Sequence, residues 1–151
     1  MIICETMASI TEARMTAEVA VESGKPVWLA LNLADDGSGN LRSGESLADT
    51  VAALDDLHMD AWLFNCCVPE SIDAGLKILS DLTDRPIGAY GNALRPVPEG
   101  WTLAEGGITY DEALDPDKYE SHASHWQSLG ATIIGGCCGI GPDHIHRIGR
   151  L

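Results

Sequence analysis

Two cysteine pairs carry the chemistry open to this chain. One is Cys137-Cys138, in the run Ile134-Gly135-Gly136-Cys137-Cys138-Gly139; the other is Cys66-Cys67, in Phe64-Asn65-Cys66-Cys67. One thiol from the upstream pair and two from the downstream pair can hold a zinc ion and leave its fourth position open. An open position suits a zinc that activates a substrate thiol, whereas a structural zinc is closed by four protein ligands. Successive strand residues face opposite sides, so Cys137 and Cys138 can share one metal only where the strand has ended. Gly135, Gly136 and Gly139 permit the unusual dihedrals and close backbone approach of such a turn. A bare Cys-Cys pair more often marks small buried residues at a strand–helix turn. Glycine on both sides, with Asn-Cys at another strand end, favours a metal-holding turn.

Periodicity identifies the elements that must position these thiols. The apolar runs at 2–4, 27–33, 62–66, 87–90 and 132–134 read as buried parallel strands. Helical patterns lie between them. The first opens at Ser9 with Glu12 three residues on, a capping-box spacing, runs through Ala13, Ala17, Ala20 and Val21, and stops near Gly24-Lys25-Pro26. The second starts near Ser46 and carries Val51, Leu54 and Leu57; the third starts near Pro69 and carries Ile72, Leu76 and Leu79. The fourth opens on Asp115-Pro116 and ends at Leu129-Gly130, and the last begins at Pro142 and carries Ile145 and Ile148. Five strand–helix units of roughly 25 to 30 residues predict an α/β fold of consecutive βα units. The polar cluster at 35–40 reads as a turn, and 92–114 as a long, functional loop. Ligands bind at the carboxyl ends of parallel strands. Those ends carry Glu5-Thr6, Asn65-Cys66, Tyr90-Gly91-Asn92 and Gly135 to Cys138.

Composition narrows the partners. The chain has 151 residues, 45% of them hydrophobic, which suits one compact domain. A formal net charge of -14 argues against nucleic acid and anionic membrane surfaces, which attract basic patches. Five cysteines, an odd number with two adjacent pairs, make a poor disulfide framework. Met1 to Glu5 has no basic region and no long apolar run, so no signal peptide is expected, and no apolar stretch reaches the ~18 residues of a membrane span. These features predict a cytoplasmic protein with reduced thiols.

The sequence resembles the homocysteine S-methyltransferase family. The resemblance rests on Cys4-Glu5-Thr6-Met7, Asn65-Cys66 with Pro69-Glu70, Tyr90-Gly91-Asn92, and Gly130 through Gly139 with Pro142-Asp143-His144-Ile145. It covers nearly the whole chain, and Gly-Gly-Cys-Cys-Gly after an upstream Asn-Cys is its most specific part. It implies a (β/α)8 barrel, of which these five units would be the C-terminal part, making residues 1–151 an N-terminally truncated homocysteine-binding domain. The strand that opens the family barrel, rich in Asp and Gly, has no counterpart here. The resemblance also implies zinc held by Cys66, Cys137 and Cys138, and substrate-binding residues Glu5, Asn65, Tyr90 and Asn92, with Glu5 taking the amino group of homocysteine. It gives Cys67 no role beyond packing and turns Cys4 away from the site. Leu63-Phe64 departs from the family's smaller residues before Asn65.

The implied reaction moves a methyl group from a cationic donor, such as betaine or S-methylmethionine, to the homocysteine thiol and yields methionine. No catalytic residue beyond the zinc site is expected. Tyr90 and Trp101 are candidates for donor contact, because cationic methyl groups favour aromatic faces. His144 is a candidate support behind the metal ligands, whereas His122 and His125 read as solvent-facing or core-backing. Five parallel strands leave two open edges, so a second copy or a partner subunit is expected to complete the barrel. The competing reading is a non-catalytic zinc-binding or partner subunit. A redox role for the vicinal pairs is disfavoured by the lack of a Cys-x-x-Cys motif.

Overall fold

The computed structural model describes residues 1–95, 107 and 109–151. Five strands, β1 (Ile2–Met7), β2 (Val27–Leu31), β3 (Ala61–Asn65), β4 (Ile87–Tyr90) and β5 (Ala131–Ile134), form one parallel sheet in sequence order. The helices α1 (Ile10–Glu22), α2 (Leu47–Ala53), α3 (Pro69–Leu79), α4 (Pro116–Ser128) and α5 (Pro142–Ile148) alternate with them. Sequential order with a helix after every strand is barrel winding, and the molecule is a partial (β/α)8 barrel, as the sequence predicts. Among the described residues no strand covers the outer edge of β1 or β5.

Local chemistry sets the helix starts. Ser9 Oγ accepts from Glu12 N–H, Ser46 Oγ from Asp49 N–H and the Asp115 carboxylate from Lys118 N–H, each satisfying a donor that the first turn leaves free. Pro69, Pro116 and Pro142 occupy first helical positions, where no N–H is needed. Several expected boundaries move: β1 runs on to Met7, β3 ends at Asn65 rather than Cys66, and α2 stops at Ala53, before Leu54 and Leu57. The apolar run at 27–33 suggests a strand through Leu33, but β2 ends at Leu31 and Leu33 pairs instead with Leu41 in an antiparallel bridge.

The core lies between the sheet and the helices. Cys4, Leu29, Leu31, Trp62, Phe64, Ile87 and Ala89 point into it from the strands and meet Ala13, Ala17, Ile72, Leu76, Tyr119 and Trp126. The bulky Phe64 fits because α3 offers Gly75 there; a Cβ on Gly75 would lie 3.0 Å from the Phe64 ring. Trp126 closes this layer, its Nε1–H donating to the Asp73 carboxylate at 2.8 Å. The opposite, concave face carries Ile3, Glu5, Trp28, Leu63, Tyr90 and Ile133 around a shallow hollow of about 230 Å³.

Gly88 sets how closely β5 approaches β4. A Cβ there would sit 2.3 Å from the Ile133 carbonyl oxygen, a backbone atom that cannot yield without opening the β4–β5 ladder. Gly88→Ala is expected to destabilise the fold by about 2 kcal/mol or more in urea unfolding, the upper part of the range for overpacking. A loss under about 0.5 kcal/mol would mean that β5 is not held this tightly.

Candidate metal centre

The site forms where β3, β4 and β5 end. Cys66 leaves β3 in a left-handed turn (φ 55°), and its N–H donates to the Tyr90 carbonyl at 3.4 Å. Cys137 N–H donates to the Gly91 carbonyl at 2.9 Å, and the Cys138 carbonyl accepts from Ala93 N–H at 2.8 Å. The end of β4 therefore holds both cysteine turns. Tyr119 braces it from α4, its hydroxyl donating to the Gly135 carbonyl at 2.7 Å.

The glycines divide the two expected roles, unusual dihedrals and close approach. Among Gly135, Gly136 and Gly139 only Gly139 has a positive φ, 81°. Gly136 is required for space, since a Cβ would lie 2.3 Å from Ile140 Cγ2 as the chain folds back beneath the cysteines.

The result brings Cys66, Cys137 and Cys138 together, with all three Sγ atoms within 4.8 Å of one another. Thiolates around a tetrahedral zinc, each at about 2.3 Å, are about 3.8 Å apart. Cys137 Sγ and Cys138 Sγ stand 3.8 Å apart, so the cluster already has one edge of that tetrahedron. The donor set fits zinc. Burial first, and then the charge of the neighbouring thiols, pushes Cys137 up to about 12. Burial likewise raises Cys66, opposed by a contact from Asn92 Nδ2 at 3.9 Å and reinforced by Cys138. Three thiolates this close repel one another, and a cation at their centre removes that cost.

The other predicted residues divide. Tyr90 and Glu5 line the same hollow on the concave face. The Tyr90 hydroxyl is buried with no hydrogen-bond partner among the described residues, and burial followed by the Glu5 carboxylate holds the phenol well above its usual range. Asn92 reaches Cys66 Sγ, and its Oδ1 also accepts from Leu94 N–H. Asn65 is buried and spends its amide on β1: Oδ1 accepts from Thr6 N–H and Nδ2 donates to Thr6 Oγ1, both at 2.9 Å. That pair fixes Thr6 (φ 63°) at the β1 irregularity beside Glu5. Cys4 is buried in the core, away from Glu5. Cys67 is fully buried, donates to the Asn65 carbonyl and is pushed up to about 12 by burial.

His144 caps α5, its Nδ1 accepting from Gly141 N–H while Nε2 lies 3.1 Å from the Leu114 carbonyl. Both ring nitrogens are thereby engaged away from the thiols. His122 packs beside Trp126, and His125 is exposed. Trp101 lies outside the described residues. Sequence reasoning missed Asn32, at the end of β2, whose amide reaches the Cys66 turn. Its only signal is a polar residue inside an apolar run.

Parallel βα units with three thiols gathered at their carboxyl ends define a barrel protein with a metal-competent cysteine site. The profile described as homocysteine S-methyltransferase matches residues 1–151, and the chain belongs to that family. Homocysteine S-methyltransferase 4 of Zea mays is 30% identical over 152 residues, covering 97% of this chain and 42% of the relative. Homocysteine S-methyltransferase YbgG of Bacillus subtilis is 29% identical over 147 residues, covering 96% and 44%. The metallated form of the homocysteine methyltransferase MmuM from Escherichia coli superposes with a TM-score of 0.74 at 28% identity, over 99% of this chain and 44% of that one. The chain thus spans less than half the length of these relatives.

Alkylation of the metal-free protein at about pH 8, read by mass spectrometry, should modify exposed Cys138 first and Cys67 last. The Cys137 rate should rise about tenfold per pH unit, because only the thiolate reacts and its pKa is far above. Equal rates at Cys67 and Cys138 would contradict their placement.

Proposed function

We propose that this chain is the C-terminal, zinc-binding part of a homocysteine S-methyltransferase domain that transfers a methyl group from a cationic donor to homocysteine. The observation that carries the reading is the three-thiol cluster at the strand ends. Cys66, Cys137 and Cys138 would hold the ion as thiolates, and a fourth position is left for substrate sulfur. Bound zinc lowers the pKa of a coordinated thiol, so a nucleophilic sulfur exists at neutral pH.

The chain's own residues supply orientation. Glu5 offers a carboxylate to the substrate ammonium from the concave face, and the Tyr90 ring beside it offers an aromatic surface to the donor's cationic methyl group. Tyr90 stays a neutral phenol, so it adds no charge opposing transfer. Asn92 donates toward Cys66 Sγ, which favours the thiolate. In the reaction the homocysteine sulfur forms a bond to the methyl carbon. The donor's C–N or C–S bond breaks, and its electron pair leaves with the donor heteroatom. The products are methionine and the neutralised donor, and the homocysteine thiol proton goes to solvent.

The hollow is one-sided, and further strands, whether from the same polypeptide, a second copy or a partner subunit, would form its opposite wall. Five free cysteines suit a reducing compartment, and cytoplasm is the location proposed. No helix among the described residues is long and apolar enough to cross a membrane. The one-sided hollow also supports a second reading, in which the chain binds zinc but turns over no donor.

Metal analysis of the chain purified under reducing conditions tests the site. Near one zinc per chain is expected, and Cys138→Ala should lower affinity by about 100-fold or more through loss of a ligand. Zinc binding should strengthen with rising pH, because the ion displaces thiol protons. Absence of zinc in the parent would overturn the reading. Methionine formation from homocysteine and a panel of methylated ammonium and sulfonium donors then separates catalyst from zinc-binding subunit.

A further inference from the structure

Cys66 holds a backbone conformation that side chains disfavour, and the strand next to it supplies what holds it there. Thr6 and Cys66 are the non-glycine residues with positive φ among those described, at 63° and 55°. A left-handed backbone is strained for a residue with a Cβ. The turn is what sends Cys66 Sγ into the cluster while Cys67 enters the core.

Asn32 follows β2 and is 4% exposed. Its Nδ2 donates to the carbonyls of both Asn65 (3.1 Å) and Cys66 (2.9 Å), the two peptide oxygens that bracket the turn. Its Oδ1 accepts from Arg42 Nε–H at 2.6 Å. A guanidinium only donates and a carbonyl only accepts, so this arrangement fixes which way the amide faces. Arg42 is itself held by the Leu33 carbonyl (3.2 Å) and the Asp35 carboxylate (2.9 Å). The Asn32 backbone is equally committed, its N–H donating to the Met7 carbonyl and its carbonyl accepting from Arg42 N–H. None of these groups belongs to the thiol cluster.

We propose that Asn32, oriented by Arg42, is a positioning residue that sets the Cys66 turn and so presents the third thiol to the metal. The proposal rests on the reading that Cys66, Cys137 and Cys138 hold zinc. A side chain that offers two donors to two adjacent carbonyls cannot be replaced by an acceptor of the same shape. Asn32→Asp keeps the volume and the Arg42 contact but turns an oxygen toward both carbonyls. Asn32→Ala removes both contacts and Arg42→Ala removes only the orienting one. Arg42→Lys keeps a single donor.

Zinc affinity of the full chain, measured by competition with a chromophoric chelator, should fall about 10- to 100-fold in Asn32→Asp and Asn32→Ala. A fall of a few-fold is expected in Arg42→Ala, with part recovered in Arg42→Lys. The Co2+ form should lose intensity in its tetrahedral thiolate bands alongside. In the metal-free variants, alkylation of Cys66 should accelerate several-fold while that of buried Cys4 does not, which separates a local change from general loosening. Zinc affinity within about twofold of the parent in both Asn32 variants, or a parallel rise at Cys4 and Cys66, overturns the proposal. A parent that binds no zinc overturns the proposed function instead, and the Cys66 to Cys4 rate ratio then decides this inference alone.

Discussion

Everything at this site depends on the end of β4. Cys66 and Cys137 lie far apart in sequence, on strands that do not touch each other directly. They meet because β4 runs between β3 and β5 and its last residues hydrogen-bond outward to both. Tyr90 and Gly91 offer carbonyls to the two cysteine turns, while Asn92 and Ala93 donate back to the carbonyls of Cys67 and Cys138. These bonds are backbone to backbone, so the spacing of the thiols follows from sheet geometry rather than from flexible side chains. Gly88 and Tyr119 serve the same end, one by letting β5 come close and the other by clamping the Gly135 carbonyl from α4.

Electrostatics explains why such a cluster would favour a cation. The protein carries a net charge of -14, and several arginines are already paired, Arg14 with Asp56, Arg42 with Asp35 and Arg147 with Asp117. No described arginine or lysine pairs with the thiols. Burial and mutual repulsion raise Cys66 and Cys137 together. Cys66 and Cys137 therefore favour the thiol form in the metal-free protein, and a bound cation would displace their protons.

Much of this was legible in the sequence. Apolar runs, helical periodicity, caps and helix-opening prolines point to each of the five strands and five helices, because those signals are local. The Gly-Gly-Cys-Cys-Gly run and Asn65-Cys66 pointed to the thiols that the fold brings together. What escaped was non-local. Asn32 reads as the tail of an apolar strand, and nothing nearby in sequence shows that its amide faces the Cys66 turn on the next strand. Asn65 is expected among the substrate-binding residues; what the sequence does not show is that its amide ties down Thr6, a partner set by the pairing of strand ends. The sequence does not show which glycine bends and which makes room: Gly136 leaves space for Ile140, a contact that exists only after the chain has folded back. Phe64 departs from the family's smaller residue, and the space it takes is left by Gly75 of α3, a match that the sequence does not display.

The edges that β1 and β5 present among the described residues restrict which strands, of the same polypeptide or of another, could complete the barrel. Parallel strands keep all carboxyl ends, and hence all cysteines, on one rim. A two-fold axis normal to the sheet would join β1 to β1 of a second copy in antiparallel fashion and put the two thiol clusters on opposite rims. Rotation about an axis lying along the strands instead joins β5 of one copy to β1 of the next, keeps every strand parallel and leaves no free edge once the ring closes. Any segment that extends the sheet with parallel strands, from the same polypeptide or another, brings its own strand carboxyl ends to the rim that carries Cys66, Cys137 and Cys138.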